Sequence, residues 1–98
     1  MTIKLILEQL KTAAHPVAKA IHKGEHFKVL AIGFRQGMKL KDHQARLPSK
    51  LTVLLGCVLY KEGEQVIRLE AYDEYDIPVD VIHSVEAEED SLCLLTQG

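Results

Sequence analysis

The run Leu51–Tyr60, LTVLLGCVLY, limits what this chain can fold into more than any other stretch. It is apolar almost throughout and has no polar face, which suits a β-strand covered on both sides. Gly56 interrupts it. A glycine weakens a strand interior and marks a bend or bulge of the kind barrels use at corners. Neighbouring segments have the same character. His26–Arg35 (HFKVLAIGFR) reads as a strand with Phe27, Val29 and Ala31 on one face and Leu30, Ile32 and Phe34 on the other. Gln36-Gly37 is a turn, Met38–Gln44 a third strand and Arg46–Ser49 a connection. Lys61–Glu64 makes a hairpin turn into the returning strand Gln65–Ala71, and Tyr72–Asp76 is a polar loop. Ile77–Ala87 is the next strand, Glu88–Asp90 an acidic turn and Ser91–Thr96 the last strand. Seven or eight short strands with no strand–helix alternation predict an all-β domain, a sandwich or a barrel.

The N-terminus departs from this pattern. Ile3, Ile6, Leu7, Leu10 and Ala14 fall on one face of a helix, with Lys4, Glu8, Gln9 and Lys11 on its other sides. Thr2 can serve as N-cap. Pro16 disfavours helical geometry at His15, so the helix should end near Ala13 or Ala14. Its apolar stripe must be buried, on the outside of the barrel or against a partner subunit. His15–Lys23 (HPVAKAIHK) fits either a strand or another helical turn.

Ninety-eight residues make one domain, 1–98, with a helical segment at 1–15 and a strand-rich core at 26–97. A chain this short has little surface to bury, and self-association as a homodimer is the expected way to add some. Twelve basic against fourteen acidic residues give a net charge of −2, which argues against nucleic acid as the main partner. No apolar run approaches the roughly 20 residues of a membrane span. Glu8 and Lys11 interrupt the apolar N-terminal patch, which is too brief for a secretory leader. Cys57 and Cys93 sit in apolar runs with no CxxC pattern, so buried free thiols in a reducing cytoplasm are expected.

The stretch Gly37–Gly56 has a further regularity. Gly37 is followed by five residues, His43, one residue, Ala45, three residues, Ser49, six residues and Gly56. After fifteen residues, Cys57–Ala71, a second frame runs Tyr72, five residues, Pro78, one residue, Asp80, two residues, His83, three residues, Ala87. These spacings resemble the two signature motifs of the cupin family of small β-barrels, G(X)5HXH(X)3–4E(X)6G and G(X)5PXG(X)2H(X)3N. Asp73 matches the Gly-Asp pair that often opens the second motif, with Tyr72 in place of the glycine. The resemblance covers about residues 26–97. It implies an antiparallel jelly-roll β-barrel, here with a short N-terminal helix, and a pocket opening at His43 and His83.

In the family, two histidines and a glutamate of the first motif and a histidine of the second hold one metal ion. His43 and His83 stand at two of those positions; Ala45 replaces the second histidine and Ser49 the glutamate. Two imidazoles alone make a weak site for a divalent transition metal, which usually takes three or more protein ligands. Three readings compete for the pair. The imidazoles are hydrogen-bonded in a small ligand pocket bounded by Ala45 and Ser49, with no ion. Or they bind one divalent metal with outside help. Or they act as a metal-free acid–base pair, since histidine titrates near neutrality.

Other residues favour plainer readings. His22 and His26 are four apart, but Gly24 between them suggests a solvated turn. Arg35, Arg46 and Arg68 could hold a carboxylate at the barrel mouth, or lie solvated on the surface. Tyr72 and Tyr75 suit either the rim or packing. The cluster Glu86, Glu88, Glu89 and Asp90 is expected to be a solvated turn rather than a calcium loop. There is no phosphate loop, dinucleotide glycine pattern or GxSxG. The expected function is a small cytoplasmic protein that binds a small molecule in the barrel pocket without catalysis. The alternative is a metal-dependent enzyme, a dioxygenase or isomerase-like cupin using His43 and His83. Ala45 and Ser49 separate the two, since an intact metal site needs lone pairs at both positions and alanine has none.

Overall fold

In the computed structural model, which describes residues 1–98, the long apolar run breaks at Gly56. Its first half is β4 (Ser49–Leu55) and its second half β5 (Cys57–Glu62). The two halves belong to different sheets. Gly56 has φ 86°, and an added Cβ would run into the Asp90 carbonyl and the Ser91 backbone. Only glycine fits this crossing. Buried Ser91 holds the corner: its hydroxyl accepts the Cys57 N–H at 3.0 Å and lies 2.7 Å from the Glu89 carbonyl oxygen.

The remaining strands are β1 (Val17–Lys23), β2 (Lys28–Phe34), β3 (Lys39–His43), β6 (Gln65–Glu70), β7 (Glu74–Ile77), β8 (His83–Ala87) and β9 (Ser91–Gln97). One sheet has the order β1-β2-β9-β4-β7 and the other β3-β8-β5-β6, with all pairs antiparallel. This is the jelly-roll arrangement expected from the motifs. Side chains at period two from both sheets meet in one core, with Phe34, Leu51, Val53, Val58 and Tyr60 each at most 2% exposed.

HPVAKAIHK, left open between strand and helical turn, supplies the strand β1. Two further segments differ from those read in the sequence. The expected loop Tyr72–Asp76 supplies most of β7, an edge strand of four residues that puts only Tyr75 and Ile77 inward. A half-buried strand this short has no apolar run to betray it. The expected strand Ile77–Ala87 breaks at 78–82, where Pro78 and a left-handed Asp80 turn the chain before β8 begins at His83.

The helix, α1 (Thr2–Leu10), is shorter than expected and begins after Met1, with no side-chain cap from Thr2. Ile6 and Leu10 pack onto Ala31, Val17 and Leu94 on the outer face of the five-stranded sheet, which places the stripe on the barrel and leaves Leu7 half exposed. Gly33 makes this approach possible, because a Cβ there would come within 2.6 Å of both Ile6 and Leu10. The helix stops early where Arg35, the residue after β2, takes the carbonyl of its last residue and that of Ala13 beyond it. Its guanidinium donates to Leu10 O at 2.5 Å and to Ala13 O at 2.6 Å.

Four positions of the two motif frames share one backbone property. Gly37, Gly56, Tyr72 and Asp80 have φ of 87°, 86°, 76° and 62°. All four stand where the cupin motifs have glycine, and the frame is therefore a record of left-handed turns. Tyr72 N–H donates to Val53 O at 2.7 Å and Asp80 N–H to Ala45 O at 2.9 Å, so each substituted turn is tied to another part of the barrel. A non-glycine residue in this region costs about 1–2 kcal/mol. Tyr72 is 86% exposed and loses no packing on truncation. Tyr72→Gly should therefore raise the stability measured by urea unfolding by about 0.5–1 kcal/mol, after allowing for the greater freedom of glycine in the unfolded chain. Gly56→Ala should lower it by about 3 kcal/mol or more, since strain and backbone overlap add. Equal stability of Gly56→Ala and wild type would mean that the corner can relax.

Candidate functional site

The geometry of the site follows from the strand register. His43 of β3 is paired directly with His83 of β8, and His83 with Glu62 of β5. Cross-strand partners share a face, so His43, His83 and Glu62 form one row across the four-stranded sheet. The row points inward, since Val85 and Tyr60, two residues farther along β8 and β5, lie in the core. It sits at the end of the barrel closed by the loops 44–48 and 78–82. Those loops are fastened by the Asp80 N–H to Ala45 carbonyl bond and by Gln44 Nε2, which donates to Asp80 O at 3.1 Å.

Both imidazoles are oriented by the backbone. His43 Nδ1 is 2.8 Å from Lys41 O, and His83 Nδ1 is 3.0 Å from Val81 O. A carbonyl can only accept, so each Nδ1 carries hydrogen and each neutral ring keeps its lone pair on Nε2. The ring centroids are 4.1 Å apart. His83 is 2% exposed, and its pKa is held below the ordinary histidine value. Burial is the main cause and His43 adds to it, while the Val81 carbonyl and the charges of Glu62 and Asp42 oppose it.

Aromatic residues surround the pair. Tyr60 is fully buried, and its hydroxyl donates to Glu62 Oε1 at 2.8 Å. Its ring lies 5.5 Å from His83 and 4.6 Å from Tyr75. Burial and the Glu62 carboxylate push both phenols above their usual range, Tyr60 far above it. Tyr60 and Glu62 carry no motif and are not evident as site residues in the sequence. The available signal is period two along β5, which puts Val58, Tyr60 and Glu62 on one face. That signal becomes useful only once His83 is known to lie opposite Glu62.

Of the four residues the frame singled out, the fold brings two together. His43 and His83 line one small void of about 10 Å³, walled mainly by apolar side chains such as Ile32, Leu51 and Leu95. It has room for about one water molecule. Ala45 is buried in the closing loop and joins it only through its carbonyl. Ser49 is buried at the start of β4 in the other sheet. Its hydroxyl donates to Leu47 O at 2.9 Å, and Gln97 Nε2 donates to it at 3.3 Å. Neither Ala45 nor Ser49 lines the void.

No group of three or more His, Cys, Asp or Glu side chains is placed to hold a metal ion. The donor set that converges is two imidazole nitrogens, with Glu62 engaged by Tyr60, and it falls short of the three ligands a resident divalent ion normally has.

Several of the other candidates have structural roles, while Arg46 is exposed in the loop 44–48. Arg68 bridges Glu70 and Glu88, and Arg35 clamps the helix, so neither lies at the mouth. His22 packs its ring 5.5 Å from that of Phe27, while His26 is exposed beside Glu25. The acidic segment is tied down rather than merely solvated: Glu86 pairs with Lys61 at 3.0 Å, Glu88 with Arg68 at 3.1 Å, and Asp90 accepts the Gln36 N–H at 2.8 Å. Cys57 and Cys93 are free and buried, and burial pushes the Cys93 thiol up to about 12.

No family model matches the sequence, and no curated protein does. Solved structures match well. An RmlC-like cupin from Desulfovibrio desulfuricans is 26% identical, with a TM-score of 0.77 over 84% of this chain and 80% of its own. A cupin superfamily protein from Desulfitobacterium hafniense superposes with a TM-score of 0.80 at 15% identity, covering 86% of this chain and 77% of its own. A cupin-2 domain protein from Shewanella frigidimarina covers 99% of this chain and 97% of its own, at 19% identity and a TM-score of 0.75. The chain has the small RmlC-like cupin fold.

The lowered pKa of His83 sets a pH dependence. The unfolded chain takes up this proton near pH 6.5 and the folded chain only at lower pH, so the stability is fully present above about 6.5 and is lost as pH falls through the folded value. The urea midpoint of wild type should be level between pH 8 and 7 and decline toward pH 5.5. His83→Gln should remove most of that decline. An unchanged slope in His83→Gln would place the responsible proton elsewhere.

Proposed function

We propose that this cupin barrel binds a small polar molecule at its histidine end and performs no catalysis of its own. The observation that supports this most directly is the pair of backbone hydrogen bonds to Nδ1 of His43 and His83, which leaves Nε2 unengaged by the backbone on two rings whose centroids are 4.1 Å apart. Imidazoles that donate from Nδ1 and are neutral accept hydrogen bonds at Nε2. The ligand end that suits them is a donor, an ammonium, hydroxyl or amide N–H, and the Glu62 carboxylate in the same row favours a donor too. An acyl or glycosyl transfer would need a nucleophile or a positioned acid beside the pair. Glu62, the carboxylate of the row, is engaged by the Tyr60 hydroxyl. Burial and that carboxylate make the phenol a very weak acid, and neither cysteine belongs to the row.

The void of about 10 Å³ takes one water-sized guest, and small-molecule sites usually run to roughly 300–1,000 Å³. An organic ligand larger than this must therefore displace side chains that wall the void, such as Leu40, Ile77 and Leu95. The buried free thiols suit a reducing cytoplasm, and homodimerisation remains part of this reading.

Thermal-shift measurements with a panel of small amines, polyols and amides test the proposal. A compound that raises the wild-type midpoint should lose its effect in both His43→Ala and His83→Ala. Undiminished shifts in both variants would remove the histidine end as the binding site. Elemental analysis of protein purified without an affinity tag gives a second decision. About one transition-metal ion per chain would replace the organic-ligand reading with one in which the two Nε2 atoms bind metal with help from outside the chain.

A further inference from the structure

The five-stranded sheet carries its own row of polar groups at the same end of the barrel. Its terminal row runs Ile77, Ser49, Gln97, Lys28 and Lys23 across β7, β4, β9, β2 and β1. Ile77 and Ser49 are buried, so the row belongs to the inward face and emerges at the mouth as two lysines. Lys23 and Lys28 are directly opposed in the last pair before the turn 24–27. Like charges in direct opposition are unfavourable in a sheet. Neither lysine has a carboxylate within ion-pair distance, whereas Lys50 nearby reaches both Glu74 and Asp76 at 3.6 Å. Glu25, the one acid of the turn, faces His26 at 3.7 Å.

Beside the two lysines lies an open hollow of about 540 Å³, between this turn and the loop 44–48. Phe27 and Leu47 line it, at 46% and 50% exposure. Phe27 is held in place. Its ring covers Gly24, where a Cβ would overlap it, and packs 5.5 Å from the His22 ring. Gln97, whose amide donates to Ser49, also lines the hollow, as do His26 and the Glu25 carboxylate 3.7 Å from its imidazole. A preset aromatic face, an apolar side chain, an amide and two ammonium groups lacking counter-charge suit a molecule with an anionic head and an apolar body. We propose that this hollow is a second ligand site, separate from the histidine pair, and that it takes a small organic anion. The carboxylate or phosphate head lies between Lys23 and Lys28, and the apolar body lies on Phe27 and Leu47.

The test is an NMR titration of the full chain with benzoate and phenyl phosphate, using benzamide as the uncharged control. The anions should shift the amide signals of Gly24, Phe27, Lys28, Leu47 and Gln97, and benzamide should bind about tenfold more weakly or worse. The double variant Lys23→Gln with Lys28→Gln should bind both anions about tenfold more weakly than wild type. Lys23→Gln alone, at an exposed position, should show a smaller loss of the same sign and serves if the double variant does not fold. His43→Ala should bind them as wild type does, which separates this site from the one proposed above. Equal binding of benzoate and benzamide, undiminished binding by the lysine variants, dependence on His43, or no shift with either anion at millimolar concentration would each overturn the proposal.

Discussion

The close approach of Gly56 to the backbone at Asp90 and Ser91 is the contact on which the two-sheet arrangement depends. Here one continuous apolar run leaves the five-stranded sheet and enters the four-stranded one. The absence of a Cβ and a φ of 86° permit the turn, and the buried Ser91 hydroxyl satisfies the backbone that the turn exposes. Once β4 and β5 are set in different sheets, their registers follow. β4 lies between β7 and β9, and β5 between β6 and β8. A slip of one residue on either side would turn every inward side chain outward.

That register also builds the histidine end. β5 brings Tyr60 and Glu62 opposite Val85 and His83, and β3 adds His43 to the same row. Burial disfavours the charged form of His83 and the ionised form of Tyr60, and the backbone carbonyls of Lys41 and Val81 orient the two imidazoles. An interior filled by aromatic and branched side chains leaves almost no vacant volume beneath the pair. A larger hollow lies at the mouth, between the turn 24–27 and Leu47.

The helix shows how a small domain extends its core. With only 98 residues the barrel buries limited surface, and α1 adds a second apolar layer by covering Ala31 and Leu94 from outside. Gly33 lets it lie close, and Arg35 replaces the missing C-terminal partners of its carbonyls. Burying a residue such as Ile6 contributes about 2–3 kcal/mol, a sizeable share of the stability of a chain this short.

By itself the sequence determined the class of fold, the position of the corner and the pairing of two distant histidines. The first two have local signatures, apolar runs bounded by turns and a glycine inside a strand. The third rests on a spacing that resembles the cupin motifs, and the structure shows that this spacing marks left-handed turns, even where Tyr72 and Asp80 stand in for glycine. Alternation along a strand places residues on a face whatever the partner strand. The edge strand β7, the end of the helix and the membership of the site were decided only by the tertiary structure. β7 exists because β4 offers it hydrogen bonds, and α1 ends where a guanidinium twenty-five residues away takes the Leu10 carbonyl. Ala45 and Ser49 satisfy the motif spacing, yet the packing leaves both out of the void that His43 and His83 share. Tyr60 and Glu62 enter the site from a strand with no motif, through a cross-strand register that no local pattern encodes.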